Sequence, residues 1–207
     1  MDEHEAIVQC KQGNISGLEY LVRTYELQAL RAAYLIVADR TPAEDVVQEA
    51  FLHAYAQIQQ FDPTRPFGPW FLQSVVHRAV RTATRAARLR TWDVATDNRI
   101  SQVADPSADL AAWVVKEETD TAIWAAVARL PPHQRAVIVL RYYLDLSETE
   151  MADQLACPPG TIKSRLHTAR HRLRSLLPPW IRDTGDVPRA IHVGPLRSTP
   201  VEKEDQT

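Results

Sequence analysis

The stretch SETEMADQLACPPGTIKSRLHTARHRLR, residues 147–174, decides the fold class of the C-terminal part of this chain. Ser147 followed by Glu150 is the pattern of a capping box, which predicts that a short helix begins there. The sequence CPPG predicts a tight turn, and a second helix is expected from about Pro159 to Leu177. At about 100° per residue, the apolar residues of that helix share one narrow stripe: Ile162, Leu166, Ala169, Leu173 and Leu176. Two helices joined by such a turn predict a helix-turn-helix.

The outward side of the predicted second helix is basic. Residues 157–174 contain five Lys and Arg residues, two histidines and no acid, although the whole chain has a net charge of −2. Opposite the apolar stripe lie Ser164, His167 and His171, flanked by Lys163 and Arg174. The second helix of a helix-turn-helix enters the major groove, where cations bind phosphates and outward groups reach base edges. The pattern favours duplex DNA, and an ordinary helical bundle with a basic outer face is the alternative.

A second basic block lies earlier in the chain. Residues 63–90 carry six arginines and no acid, whereas residues 1–62 and 91–154 are acidic overall. Two basic blocks in an acidic background indicate that the protein contacts a polyanion at two places. The alternative interpretation is that both blocks are solvated helix faces.

The arginines of the first block are spaced for one helix face. Arg78, Arg81, Arg85 and Arg88 follow one another at intervals of three, four and three residues. Five aromatic residues are near them in the sequence: Phe61, Phe67, Trp70, Phe71 and Trp92. Arginines beside aromatic rings suit single-stranded nucleic acid, because phosphates follow the charge and bases stack on the rings. The alternative is an aromatic core beneath a solvated arginine face.

Composition limits the class of protein. A chain of 207 residues with 45% hydrophobic content can form one ordinary domain or two small ones with a real core. No apolar run is long enough to span a bilayer, and the acidic N-terminus lacks the features of a secretory signal. The expected compartment is the cytoplasm, without membrane insertion. Cys10 and Cys157 are too few for a disulfide framework.

Helical spacing predominates, so the sequence predicts an all-α protein of two small helical domains joined by a flexible linker. The first helical region covers residues 2–38, with a break near residues 13–17. A second helix is predicted from a cap at Thr41, with Pro42 and Glu44 following, to about Gln59. After the loop FDPTRPFGP, another helix is expected from Trp70 to about residue 90.

The predicted domain boundaries follow from the same pattern. Residues 1–90 form the first domain and residues 91–109, which lack helical period, form the linker. Residues 110–177 form the second domain, in which Pro131 and Pro132 open a helix before the helix-turn-helix. Residues 178–207 are expected to be a disordered tail.

An enzyme is the rival class. His167 and His171 have the i, i+4 spacing of some zinc ligands, but neither a carboxylate nor a cysteine accompanies them on their helix. No nucleophile with its base and no glycine-rich phosphate loop is present in the sequence. The sequence therefore predicts no catalytic residue, no metal and no cofactor.

Four stretches together resemble bacterial RNA polymerase sigma factors of the extracytoplasmic-function (ECF) group. They are AEDVVQEAF (43–51), FGPWFLQSVVHRAVRTATR (67–85), LPPHQRAVIVLRYYLDLSETEMADQL (130–155) and GTIKSRLHTARHRL (160–173). The resemblance implies that the first domain is sigma region 2 and the second is sigma region 4. It implies a transcription initiation factor that binds core RNA polymerase and promoter DNA, with an anti-sigma factor as a further partner to be tested.

The resemblance also implies residue roles. The face that docks on the coiled coil of the polymerase largest subunit would consist of Asp45, Gln48, Glu49 and Leu52, with Val46, Ala50 and Phe51 turned inward. The −10 promoter element, as an unstacked single strand, would be bound by Trp70, His77, Arg78, Arg81, Arg85 and Arg88. The −35 element, as duplex, would be bound by Thr161, Lys163, Ser164, Arg165, His167, Thr168, His171 and Arg174. The polymerase flap would be a further contact.

The chain departs from the family pattern at four positions. His77 stands where the family often has Asn, and Arg81 where it often has Asp. Thr168 replaces a common Arg, and Ala156 replaces a Gly whose freedom at φ > 0 suits the turn. An autonomous duplex-binding regulator that uses only the helix-turn-helix is the other DNA-binding hypothesis. It leaves the first arginine row and the acidic face of residues 43–51 without a role.

Overall fold

The computed structural model describes residues 1–96 and 118–182, and the regular elements within these ranges are helices. The N-terminal bundle consists of α1 (Glu3–Lys11), α2 (Ile15–Val37), α3 (Arg40–Gln57) and α4 (Phe67–Thr96), with a 3₁₀ turn at Ile58–Gln60. The C-terminal bundle consists of α5 (Glu118–Ala128), α6 (Pro132–Ile138), α7 (Glu148–Gln154), α8 (Pro159–Leu176) and α9 (Pro179–Arg182), and α6 continues into a π turn at Val139–Tyr143. The all-α prediction is confirmed. None of the helices in the described ranges has the length and apolar character needed to cross a bilayer.

The predicted break near residues 13–17 is confirmed and has a packing role. Asn14 caps α2, because its side-chain oxygen accepts the Ser16 N–H at 3.0 Å. A Cβ atom on Gly17 would lie 2.2 Å from the Ala6 carbonyl oxygen. Glycine at this position therefore lets α1 and α2 pack in close contact.

The predicted start of α3 is wrong. The helix begins at Arg40 with Asp39 in the capping position, rather than with a Thr41 cap. Pro42 falls within the first helical turn, where backbone N–H groups have no partner within the helix. Its missing N–H therefore costs no hydrogen bond. The Arg40 Nε group donates to the Glu44 carboxylate at 2.8 Å, so an i, i+4 ion pair stabilises the first turn.

Helix α4 is longer than predicted at both ends. Its first residue, Phe67, is buried, and its N–H donates to the Glu3 carboxylate at 3.0 Å. The Tyr25 hydroxyl also bonds to Glu3, so the start of α4 is held against α1 and α2. The helix continues to Thr96 because no Gly or Pro interrupts residues 91–96. The remainder of the predicted linker, residues 97–109, the start of the predicted second domain, residues 110–117, and residues 183–207 of the predicted tail lie outside the described residues. The first part of the predicted tail is ordered, because Pro179–Arg182 form α9 and Ile181 is buried.

The helix-turn-helix is present. Ser147 Oγ accepts the Glu150 N–H at 3.2 Å and the Ser147 N–H donates to Glu150 Oε2 at 2.8 Å, which confirms the capping box. Ala156 has a φ of 47°, in the left-handed region that favours glycine. The predicted stripe of α8 faces the core: Ile162, Leu166, Ala169 and Leu173 are buried, and Leu176 is half-buried.

The two bundles pack against each other. Helix α2 contacts α5, α6 and the π turn, while α4 contacts α6. The buried side chains of both bundles consequently belong to one continuous apolar cluster. The sequence indicated two separate domains and gave no sign of this contact.

Candidate nucleic-acid interfaces

An open cavity of about 360 Å³ lies beside the N-terminal half of α4. Its walls come from α4 and, at one position, from α3: His53, Trp70, Gln73, Ser74, His77, Arg78 and Arg81. Four of these residues were predicted to bind −10 DNA, and the helical spacing brings them together as expected. The cavity offers one half-buried aromatic ring, two imidazoles and hydrogen-bonding groups at one place.

Three cavity residues were missed by the sequence reasoning. Gln73 and Ser74 are on the same α4 face as His77, at a spacing of three or four residues, so helical periodicity could have found them. His53 comes from α3, and only the packing of α3 on α4 places it here. His53 follows Glu49 by one helical turn, and this spacing is the sequence signal that could have indicated its position.

The predicted group of aromatic residues divides into core and surface. Phe61, Phe67 and Phe71 are buried, and Phe71 stacks on Phe51 with ring centroids 4.3 Å apart. Of the two interpretations of the aromatic residues, these three rings fit the aromatic core, because their faces are covered by other apolar side chains. Trp70 is half-buried and lines the cavity. The side chain of Trp92 lies outside the described residues.

The arginine row continues along α4 into a second open cavity of about 650 Å³. This cavity is lined by Glu49, Arg78, Arg81, Thr82, Thr84, Arg85 and Arg88. Arg78 bridges the two cavities, and its NH1 group lies 3.0 Å from Glu49 Oε2. One carboxylate facing four arginines leaves a strongly positive groove, in which threonine hydroxyls are the other polar groups.

The predicted docking face of α3 has the expected exposure. Val46, Ala50 and Phe51 are buried, which confirms that they turn inward. The outward residues are Asp45, Gln48, Glu49 and Leu52, all exposed, and Leu52 is 64% exposed although it is apolar.

An apolar groove between α2 and α3 adjoins this face. Its cavity volume is about 450 Å³, and it is lined by Leu18, Val22, Glu26, Leu30, Glu44, Val47, Gln48, Phe51 and Leu52. The α2 members were missed by the sequence reasoning, because they read as ordinary members of a helix core face. The groove is apolar at its base, and two carboxylates and an amide lie around it.

The basic face of α8 is presented to solvent. Lys163, Ser164, His167, Thr168, His171 and Arg174 are exposed, while Thr161 and Arg165 are half-buried. Thr168 Oγ1 donates to the Ser164 carbonyl at 3.0 Å, so its hydroxyl proton is already used within the helix. Burial, with the nearby Arg165 cation, lowers the pKa of His133 below the usual value for histidine.

One arginine of this segment has a structural role. Arg170 Nε donates to the Tyr142 hydroxyl at 2.9 Å, and its guanidinium carbon lies 5.8 Å from the centroid of the Tyr142 ring. The positive charge of residues 157–174 thus serves two purposes. Most of it is on the exposed face, and part of it attaches α8 to the π turn.

Comparison with known families gives two matches, one for each of the two bundles. The family Sigma-70 region 2 matches residues 21–89, and the family Sigma-70 region 4 matches residues 120–173. The chain is 30% identical over 166 residues to the RNA polymerase sigma-E factor of Streptomyces coelicolor, covering 80% of this chain and 88% of that protein. It is 29% identical over 180 residues to the ECF RNA polymerase sigma factor SigW of Bacillus subtilis, covering 83% and 94% of the two chains.

A solved structure has the same fold. The sigma factor RpoE of Bartonella quintana, in complex with the anti-sigma factor NepR, superimposes with a TM-score of 0.54 at 20% identity. The match covers 76% of this chain and 96% of that one.

These matches define a class of helical transcription factors that act with RNA polymerase. Within that class, the chain belongs to the sigma-70 family of RNA polymerase sigma factors, in its extracytoplasmic-function group. It is accordingly a transcription initiation factor that binds RNA polymerase.

Proposed function

We propose that the N-terminal bundle binds the −10 promoter element as an unstacked single strand and that α8 binds the −35 element as duplex. The observation that carries this proposal is the presence of two different basic surfaces. The surface on α4 combines an arginine row with two open cavities, whereas the surface on α8 is the exposed face of a single helix.

The cavity beside α4 suits a base that has left the stack. Unstacking costs a few kcal/mol, and stacking on an aromatic side chain returns about 1–3 kcal/mol per base. Trp70 supplies the ring, while His77, Ser74 and His53 supply donors and acceptors for a base edge. Arg81, Arg85 and Arg88 extend from the cavity along one face of α4 and bind successive phosphates of the same strand.

The face of α8 suits the major groove of duplex DNA. Lys163 and Arg174 bind phosphates on either side, and the residues between them reach base edges. Ser164, His167 and His171 are exposed on the side opposite the buried stripe, so they are the residues that read sequence. Thr168 contributes its methyl group more than its hydroxyl proton, which bonds to Ser164.

The exposed face of α3 and the adjoining groove form the polymerase docking surface. Asp45 and Glu49 match a basic coiled coil in charge, and Gln48 offers an amide for hydrogen bonds. Leu52 adds apolar contact at the edge of the groove. The solved relative binds an anti-sigma factor. A protein of that kind that covered the groove here would block the same residues from core polymerase. A competition assay, in which such a protein and core polymerase compete for this chain, tests whether both bind this surface.

The experiment is a binding assay with and without core polymerase on two promoter probes. One probe is fully duplex, and the other has unpaired bases at the −10 element. The wild-type holoenzyme is expected to prefer the unpaired probe. Arg81→Ala with Arg85→Ala should remove that preference. Lys163→Ala with Arg174→Ala should weaken binding to both probes and leave the preference for the unpaired probe unchanged.

The assay also separates the two DNA-binding hypotheses. Promoter binding that needs core polymerase supports the proposal. Equal binding to both probes by wild-type protein, or sequence-specific duplex binding that core polymerase does not improve, would instead favour an autonomous regulator.

A further inference from the structure

Arg78 differs in its environment from Arg81 and Arg85, the next two arginines of the row on α4. Its Nη1 atom donates to Glu49 Oε2 at 3.0 Å, and its Nε atom makes a longer hydrogen bond to Ser74 Oγ at 3.4 Å. The Arg78 side chain is 28% exposed, whereas Arg81 and Arg85 are exposed residues. Neither Arg81 nor Arg85 has a carboxylate partner within the described part of the chain. Of these three guanidinium groups, that of Arg78 is the one held from two sides.

The two partners of Arg78 come from different cavities. Glu49 lines the larger cavity of about 650 Å³, and Ser74 lines the smaller one of about 360 Å³, which also contains Trp70. Arg78 lines both. A planar guanidinium that is held through Nε and Nη1 has a fixed plane, so its remaining N–H groups point in set directions. Those on Nη2 have no acceptor among the residues that the structure describes, and they are available to a ligand.

The carboxylate of Glu49 disfavours phosphate as the ligand of Arg78. It lies 3.0 Å from the guanidinium, so it offsets the positive charge and repels a phosphate that approaches the same side chain. A base carbonyl is neutral, meets no such repulsion, and still gains a charge-assisted hydrogen bond from the guanidinium. Arg81 and Arg85 lack a paired carboxylate and are better suited to phosphate. The ion pair therefore divides the arginine row into a residue for neutral acceptors and residues for phosphates.

A guanidinium in this position can choose among bases. It binds best where two acceptors are adjacent on one edge, because its N–H groups form a planar fork. Guanine offers O6 beside N7, and an unpaired cytosine offers O2 beside N3. On the corresponding edges of adenine and thymine, acceptors alternate with N–H donors, which repel a guanidinium. Trp70 can stack on any base, so the ring supplies affinity and Arg78 supplies the choice of base.

We propose that Arg78 reads a guanine or cytosine base of the −10 strand, and that Glu49 is the positioning residue that keeps Arg78 on the base and away from phosphate. This inference rests on the proposed assignment of the smaller cavity to an unstacked base and deepens it by naming the kind of base. Glu49 thereby serves two surfaces. Its side chain is 65% exposed even with the ion pair formed, so it also remains part of the proposed polymerase docking surface on α3.

The test measures DNA binding by holoenzyme at saturating core polymerase, so that a change at the docking surface does not enter the result. The probes derive from one genomic promoter fragment on which the wild-type protein initiates transcription, with its −10 segment unpaired. At each position of that segment, four probes carry the four bases in turn. Fluorescence anisotropy at several salt concentrations gives two quantities for each variant: the base preference at each position and the salt slope of binding.

Wild-type holoenzyme should bind guanine or cytosine at one position about tenfold more tightly than adenine or thymine, which is within the range for a bidentate arginine contact. Arg78→Ala should lose this base preference with an unchanged salt slope. Arg78→Lys should lose it too, because an ammonium group keeps the charge without the planar fork. Arg85→Ala should keep the base preference and lower the slope by about 0.7, the contribution of one phosphate of a single strand.

Glu49→Gln tests the positioning role. The change keeps the size of the side chain and removes its charge, so Arg78 is released to phosphate. The base preference should fall, and the salt slope should rise by about 0.7. Glu19→Gln is the matched control, because Glu19 Oε1 is also paired with an arginine of the N-terminal bundle, 2.6 Å from Arg23 Nη2, and lies outside both cavities. Its base preference and slope should match wild type.

An Arg78→Ala variant that keeps the base preference and lowers the slope by about 0.7 would overturn the inference, because Arg78 would then be a phosphate ligand. So would wild-type holoenzyme that favours neither guanine nor cytosine at any position, or a Glu49→Gln variant that changes neither quantity. A fully duplex probe separates these failures from failure of the proposed function. If wild type still prefers the unpaired probe, the cavity assignment stands and only the role of Arg78 is wrong. Equal binding to both probes would instead remove the assignment itself.

Discussion

Removing the two phosphate-binding residues of α8 should change the salt dependence of promoter binding by a calculable amount. Lys163 and Arg174 are exposed, and no ion pair joins either of them to an acid within the described residues. They are eleven positions apart on one helix, which separates them by about 16 Å along its axis. Each can therefore contact a different phosphate.

Each phosphate contact contributes about 0.9 to the slope of log affinity against log salt. Replacing both residues with alanine should lower the slope by about 1.8. Between about 50 and 200 mM salt, a fourfold change, wild-type holoenzyme should lose about twelve times more affinity than the variant.

The assay is fluorescence anisotropy of a labelled promoter fragment with reconstituted holoenzyme at several salt concentrations. The control removes two cations of the N-terminal bundle, with Lys11→Ala and Arg23→Ala. Both residues lie on α1 or α2, outside the arginine row of α4. The control slope should match wild type. An unchanged slope in the α8 variant would refute the argument that these side chains bind phosphate.

Three further predictions address docking, packing and ionisation. Charge reversal by Asp45→Lys with Glu49→Lys should weaken core polymerase binding at least tenfold with unchanged circular dichroism, and unaltered binding would rule out α3 as the docking face. Gly17→Ala should destabilise the fold by about 1–3 kcal/mol in urea denaturation, because the new Cβ would lie 2.2 Å from the Ala6 carbonyl oxygen; an unchanged midpoint would contradict that close approach. Burial raises the pKa of Tyr143 from 10.0 to about 12. Since the folded state favours the neutral phenol, this stabilisation is complete below about pH 10 and is lost as the pH rises through about 12. Denaturation midpoints between these pH values should fall more for wild type than for Tyr143→Phe, and parallel curves would count against this burial.

The parts of the fold that the sequence predicts well depend on local signals. The capping box at Ser147 and the apolar stripe of α8 are formed by residues close in sequence, and both are present. The inward positions of α3 follow from helical period alone. The start of α3 was misplaced because Thr41 and Asp39 can both cap a helix, and the choice depends on the approach of the preceding turn.

The candidate site was only partly predictable, because part of it depends on contacts between helices distant in sequence. The arginine row follows from spacing within α4, whereas His53 joins the cavity only through the packing of α3 on α4. The sequence left the role of the aromatic residues undecided because a ring near an arginine in sequence can face either the core or the surface, and Phe67 and Phe71 face the core. The contact between the bundles is made by buried apolar faces of α2, α4, α5 and α6, which in sequence are indistinguishable from ordinary core faces.

The measurement that tests the central claim most directly is run-off transcription with purified core polymerase and a library of genomic promoter fragments, with and without this protein. The account predicts transcripts that appear only with the protein and start a short fixed distance downstream of shared −35 and −10 sequences. Those transcripts should be lost when the arginine row of α4 or the exposed face of α8 is replaced by alanine. Binding of the protein to duplex DNA without association with core polymerase, and without any such transcript, would contradict the account.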